Sequence, residues 1–162
     1  AEPAGPGYEW RLVVAEDFDR WGFLPQGWIV NVAGAGAVRI QREGDNRYVE
    51  ITAGSASAGG HAEAGTPLFD ILTRVKGVRV VLSYRGGPGR IDVKDPLGLN
   101  PYGETAPLAE TAAWRRGAAF LFRSDDPGAR YGYSAFFLVV AEAGARLTLA
   151  VDDVRVWFYE EV

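Results

Sequence analysis

Apolar and polar residues alternate along most of this chain with a period of two, the repeat of a β-strand that buries one face. Val78 to Arg85 shows it most clearly, with Val78, Val80, Leu82 and Tyr84 on one side and Arg79, Val81, Ser83 and Arg85 on the other. Strands are also predicted over Tyr8 to Glu16, Trp28 to Ala33, Ala37 to Arg42, Arg47 to Ala53, Arg90 to Asp95, Gly117 to Ser124, Tyr131 to Val140 and Arg146 to Tyr159. Gly34-Ala35-Gly36 reads as a hairpin connector, and Gly44-Asp45-Asn46 as a turn. Asp17 to Gly27 has no strict period and reads as an ordered loop pinned by its aromatics. His61 to Ile71 suits either a strand or a helical turn, and Leu108 to Trp114 reads as one short helix. Gly54 to Gly60 and Asp125 to Gly128 are loop and turn. Nine or ten strands with turn signals roughly every 8–12 residues imply an all-β fold, a single antiparallel β-sandwich or barrel.

Composition agrees. Glycine supplies 21 of 162 residues, against an average of about 7%, with no Gly-x-y period, as expected of many tight turns between short strands. There is no cysteine and no methionine. That excludes disulfides, thiolate metal sites and a cysteine nucleophile. The net charge is −4, and no basic run exceeds Arg115-Arg116, which argues against nucleic acid as a partner. The longest apolar runs, such as Ala135 to Ala141, are too short to insert in a membrane. Residues 1–7 form a breaker-rich arm, and residues 8–162 read as one domain. Ala1-Glu2-Pro3 is similar to a terminus left by signal-peptide removal, which implies an extracellular or cell-surface location; a trimmed chain explains it equally well.

The last strand changes phase. Leu147, Leu149 and Val151 hold odd positions, whereas Val154, Val156 and Phe158 hold even ones. A regular strand cannot turn both sets inward, so a β-bulge is expected at Asp152-Asp153.

Val151-Asp152-Asp153-Val154 resembles the closing strand of jelly-roll carbohydrate-binding modules. Two further features are similar to that group: Trp114 opening a late strand, and the acidic-Phe-acidic segment Glu16-Asp17-Phe18-Asp19 followed by a loop and Trp28. The resemblance implies a jelly-roll sandwich, a glycan or cell-surface polysaccharide as ligand, and a structural calcium. Glu16, Asp17, Asp19, Asp152 and Asp153 are then candidate calcium ligands, because calcium takes carboxylate and carbonyl oxygens. These acids could instead be solvated or paired with Arg20 and Arg155.

Sugar binding needs aromatic platforms with polar groups beside them. Tyr84, Arg85, Tyr102 and Trp114 are the candidates, with Trp21, Trp28, Arg115 and Arg116 nearby in type; Tyr102 is expected to be the most exposed. Large aromatics are also ordinary core residues. Catalysis finds little support. The one histidine, His61, suits a solvated or structural role, and no cofactor other than calcium is implied. The sequence therefore points to a non-catalytic, exported carbohydrate-binding-type module. The alternative is a self-assembling structural subunit of a filament, sheath or surface layer, whose partners are copies of itself joined through the N-terminal arm.

Overall fold

The computed structural model describes residues 3–20, 22–54 and 59–162. Trp21 and the Ser55 to Ala58 part of the small-residue loop lie outside the described residues, as do Ala1 and Glu2.

Among the described residues twelve strands make two antiparallel six-stranded sheets. The first sheet holds β1 (Tyr8–Glu16), β3 (Gly36–Glu43), β4 (Asn46–Ala53), β7 (Val75–Gly86), β10 (Thr111–Phe122) and β12 (Leu147–Glu161). Its order is β10-β7-β12-β4-β3, with β1 also paired to β12. The second holds β2 (Ile29–Ala33), β5 (Gly60–Gly65), β6 (Phe69–Ile71), β8 (Gly89–Lys94), β9 (Ala106–Leu108) and β11 (Arg130–Ala141), in the order β2-β5-β11-β8-β9 with β6 on β11. Val49, Ile51, Val80, Leu82, Val154 and Val156 from the first sheet meet Ala62, Ala64, Ile91, Phe137 and Val139 from the second in one buried core.

The expected sandwich is therefore present, with two local corrections and one open reading resolved. The first concerns Gly34 to Gly36, which is a corner between sheets and not a hairpin connector, because β2 pairs with β5 and β3 with β4. At Gly34 the backbone has φ +82° and a Cβ would sit 2.8 Å from the Gly59 carbonyl oxygen, so the crossing chain leaves no room for a side chain. The second concerns Leu108 to Trp114, which is the end of β9 and the start of β10, not a helix. Leu108 pairs with Gly89 and Thr111 with Gly86, and those sheet bonds override the local apolar spacing. The third is the ambiguous stretch from His61, which is strand, turn and strand. The turn at Gly44-Asp45 does join a hairpin, with Glu43 opposite Asn46.

The bulge falls where the sequence places it. Val151 faces Tyr84 and Asp152 faces Ser83, but the next pair on β7 is Arg155 with Val81. Asp153 takes φ +49°, and Val151 and Val154 are both fully buried. On its other edge β12 pairs with β4 up to Val151 and with β1 from Val154 onward. One strand thus has neighbours on both sides over most of its length.

The lead-in lies against its own chain. The Tyr159 hydroxyl accepts from the Gly5 N–H at 3.4 Å, and Tyr8 stacks on Tyr159 with ring centroids 4.9 Å apart. Buried Glu160 ties the same corner together. It accepts from Arg11 Nε at 2.6 Å and from Arg74 Nε at 3.2 Å, joining β12 to β1 and to the turn before β7. The Arg11 hydrogen bond, opposed by burial and reinforced by Arg74, holds the Glu160 carboxyl below the usual glutamate range. A lowered folded-state pKa gives stability that is present above the unfolded value and is lost as pH falls through the folded one. Glu160→Gln should therefore destabilise the fold by about 1–2 kcal/mol at pH 7 in urea denaturation. The deficit should shrink once the pH falls below 4.5, the ordinary glutamate value.

Candidate functional site

In the second sheet, alternation sends one set of side chains to the core and the other to the outer face. Ala62 and Ala64 on β5, Ile91 and Val93 on β8, and Ala135, Phe137 and Val139 on β11 point inward. The register then aligns Asn31, Glu63, Leu138 and Arg90 in one row across the outer face, and Ile29, Gly65, Phe136 and Asp92 in the next. Phe136 and Leu138 are buried although they lie on this outer face. The Phe136 ring occupies the space over Gly65, where an added Cβ would come within 2.7 Å of ring carbons, so glycine is required there.

Above that apolar floor lies a continuous polar network. Glu63, 4% exposed, is its centre. Its Oε1 accepts from Asn31 Nδ2 at 3.2 Å and lies 3.4 Å from His61 Nε2. Its Oε2 faces Lys94 Nζ at 3.0 Å. Lys94 Nζ stands 4.9 Å from the Phe136 ring centroid and 3.9 Å from Asp92 Oδ2, which also accepts from Arg90 Nε at 3.3 Å. Six polar side chains from three strands are thereby held in fixed positions on one surface, the preorganisation that a binding face needs. Arg90 divides two adjoining hollows. One of about 300 Å³ is lined by Asp92, Lys94, Gly98, Pro101 and Thr105. The other, of about 180 Å³, is lined by Pro88, Gly89, Leu138, Val140 and Leu147. Beside Lys94, the turn after β8 is held by Asp95, whose Oδ1 accepts from the Leu99 N–H at 2.9 Å. It presents Leu97 and Leu99 to solvent on either side of Gly98.

The residues singled out from sequence lie elsewhere. Tyr84 is wholly buried, its hydroxyl donating to the Ala109 carbonyl, so its ring offers no face to a ligand. Tyr102 is 4% exposed, which corrects the expectation that it is the open aromatic; it packs under the Arg130 guanidinium. Trp28 is partly buried against Phe18. Arg85 and Trp114 do come together, on the first sheet's outer face. The Arg85 guanidinium lies 4.8 Å from the Trp114 ring and that of Arg116 5.4 Å, while Trp114 Nε1 donates to Glu43. Tyr48 is buried edge-on beneath Trp114, so this cluster covers the sheet. The sequence signal for the second-sheet face was the alternation in His61-Ala-Glu-Ala-Gly65 and Arg90-Ile-Asp-Val-Lys94, in which every polar residue falls on one side.

Glu16, Asp17, Asp19 and Asp152, acids of the two chain ends, are each engaged by a backbone N–H. Glu16 Oε2 accepts from the Phe18 N–H at 2.9 Å, Asp17 Oδ1 from the Asp19 N–H at 3.1 Å, and Asp19 Oδ1 from the Arg47 N–H at 2.9 Å. Arg20 and Arg155 line a hollow with Glu16 and Asp17. Asp152 Oδ1 accepts from the Asp153 N–H at 2.9 Å, but its buried Oδ2 has no hydrogen-bond donor. Among the described residues no group of three or more acidic or imidazole side chains is drawn together as a metal cage. Burial pushes the Asp152 carboxyl up to about 6; Asn46 and the Asp153 amide oppose this, and the Asp153 and Asp19 charges add to it. The folded state then keeps a proton that the unfolded chain has released, so stability falls as pH rises from 3.8 to about 6. In chelator-containing buffer, urea denaturation should show a loss of about 2–3 kcal/mol across that window. Asp152→Asn should abolish the loss and stabilise the protein at pH 7.

No family model matches the sequence, and no curated protein matches it either. Solved structures do match. One, a family 4 carbohydrate-binding module, is 17% identical, with a TM-score of 0.56 over 86% of this chain and 97% of its own. A second comes from work on the promiscuous specificity of carbohydrate-binding modules of the β-sandwich superfamily. It is 18% identical with a TM-score of 0.55; 86% of this chain is covered, but only 59% of that one, less than two thirds of its length. A third, a xylan-binding domain of Paenibacillus barcinonensis, is 16% identical with a TM-score of 0.51 over the full length of both chains. At these identities the likeness establishes the fold: this chain has the antiparallel β-sandwich of carbohydrate-binding modules.

Proposed function

We propose that this chain is a non-catalytic carbohydrate-binding module that works outside the cell, with its binding face on the outer surface of the second sheet. The Glu63-centred network carries the reading. Asn31, His61, Glu63, Asp92, Lys94 and Arg90 offer fixed donors and acceptors that suit the vicinal hydroxyls of a saccharide. The hollows on both sides of Arg90 leave room for sugar units, and Leu97 and Leu99 offer apolar surface for their C–H faces. Charge-assisted hydrogen bonds would supply more of the affinity than ring stacking, since Phe136 is buried beneath Lys94.

A structural calcium is the second part of the proposal. The orphaned oxygen of Asp152 supports it, and Asp19 and Asp153 are the charged groups beside it. A bound divalent cation would neutralise this end of the sandwich and hold β1 to β12. Calcium at 100-fold excess over its Kd should stabilise the fold by about 2.7 kcal/mol, and Asp152→Asn should remove that response in calorimetry. An unchanged melting temperature with calcium would rule out the cation.

Binding is tested by calorimetry against soluble xylan, β-glucan and galactan oligosaccharides. At least one should give saturable binding, weakened about tenfold or more, roughly 1.4 kcal/mol, by Arg90→Ala and by Asn31→Ala. Both side chains lie at the surface of the network, so the variants should fold. Trp114→Ala should leave binding unchanged. Binding lost in Trp114→Ala and kept in Arg90→Ala would move the site to the Arg85–Trp114 cluster. No binding to any saccharide would overturn the reading.

A further inference from the structure

The first sheet has an outer-face groove of about 190 Å³, on the opposite sheet from the Glu63 network. It is lined by Arg39 on β3, Glu50 and Thr52 on β4, and Arg146 just before β12. Register explains the placement. Ala37 pairs with Thr52, Arg39 with Glu50 and Thr52 with Thr148, while Val38, Ile40 and Ile51 take the alternate positions and pack on the core. Of the lining residues Thr52 is the buried polar one, 5% exposed, with its Oγ1 3.3 Å from that of Thr148. The wall is bare backbone. A Cβ on Gly54 would collide with the Ala35 carbonyl and one on Gly36 with that of Thr52, so neither position can carry a side chain into the groove.

The groove holds an unbalanced charge. Among the described residues neither Arg39 nor Arg146 forms an ion pair or side-chain hydrogen bond. Glu50 is the one carboxylate of the lining, and its Oε1 accepts from Gln41 Nε2 at 3.4 Å. Two guanidinium forks without a partner among the described residues, facing one space beside the Thr52 hydroxyl, match the acceptor geometry of an oxyanion. We propose that this groove is a second binding site, which takes the carboxylate or sulfate group of an acidic ligand, most fittingly one carried on a saccharide. The site does not depend on the function proposed for the second sheet.

The test is amide-resolved NMR titration of the whole chain with three probes: an oligogalacturonate, its uncharged methyl ester, and inorganic sulfate. The oligogalacturonate should give saturable shifts at Gly36, Ala37, Thr52 and Gly54, and the ester should not. Arg39→Ala and Arg146→Ala should each weaken the effect about tenfold or more; both residues are exposed, so well-dispersed spectra should confirm that the variants fold. Arg90→Ala should leave it intact, which separates failure here from failure of the second-sheet face. Equal binding of sulfate would support the site with a small free oxyanion as its ligand. No saturable shift with any probe, or shifts that persist in the Arg39→Ala/Arg146→Ala double variant, would overturn the proposal.

Discussion

The architecture depends on β12 staying buried on one face for fifteen residues while it changes neighbours partway along. A regular strand would turn Val154, Val156 and Phe158 outward after Val151. The extra residue at Asp152-Asp153 restores the inward phase at the point where one edge partner changes from β4 to β1. β7 meanwhile pairs along the other edge on both sides of the bulge. The price is a non-glycine residue at positive φ and a buried carboxylate with one unmatched oxygen. Both sit where the chain's first and last strands meet, so the same feature that joins the chain ends also concentrates negative charge there.

The two sheets then solve one problem in different ways. Each has an inner face packed in the common core and an outer face that carries polar groups. On the first sheet, Trp114, Arg85 and Tyr48 lie over the strands and are matched by Glu43, and an open groove lies towards Arg39 and Arg146. The second sheet instead buries Phe136 and Leu138 under an ionic network and keeps hollows beside it. A sheet outer face with buried, mutually held charges is costly unless each is paired, and here Glu63, Lys94, Asp92 and Arg90 pair in sequence across it. These pairings tie the charged side chains of the second-sheet surface to one another.

Much of this was legible from residue order. The phase change in β12 marked the bulge, and alternation located most strands, with β1 over Tyr8–Glu16 as read. The grouping of strands was not legible. Gly34 to Gly36 has the composition of a hairpin turn, but the same glycine freedom serves a corner between sheets, and only the pairing of β2 with β5 distinguishes them. Tyr102 sits in a Pro-rich loop that reads as exposed, yet the loop folds back so that Arg130 covers the ring.

Residue order alone sets the class of fold, because a two-residue period and glycine turns act over a few neighbouring residues and survive any arrangement of the strands. It also determined which residues of each strand share a side. Which of those sides become neighbours is set by strand order and sheet packing. Asn31, Glu63, Arg90 and Lys94 come from separate strands, and their meeting depends on the order β2-β5-β11-β8, which is set by long-range backbone pairing and by how the two sheets pack. Arg39 and Arg146, more than half the chain apart in sequence, face one groove for the same reason.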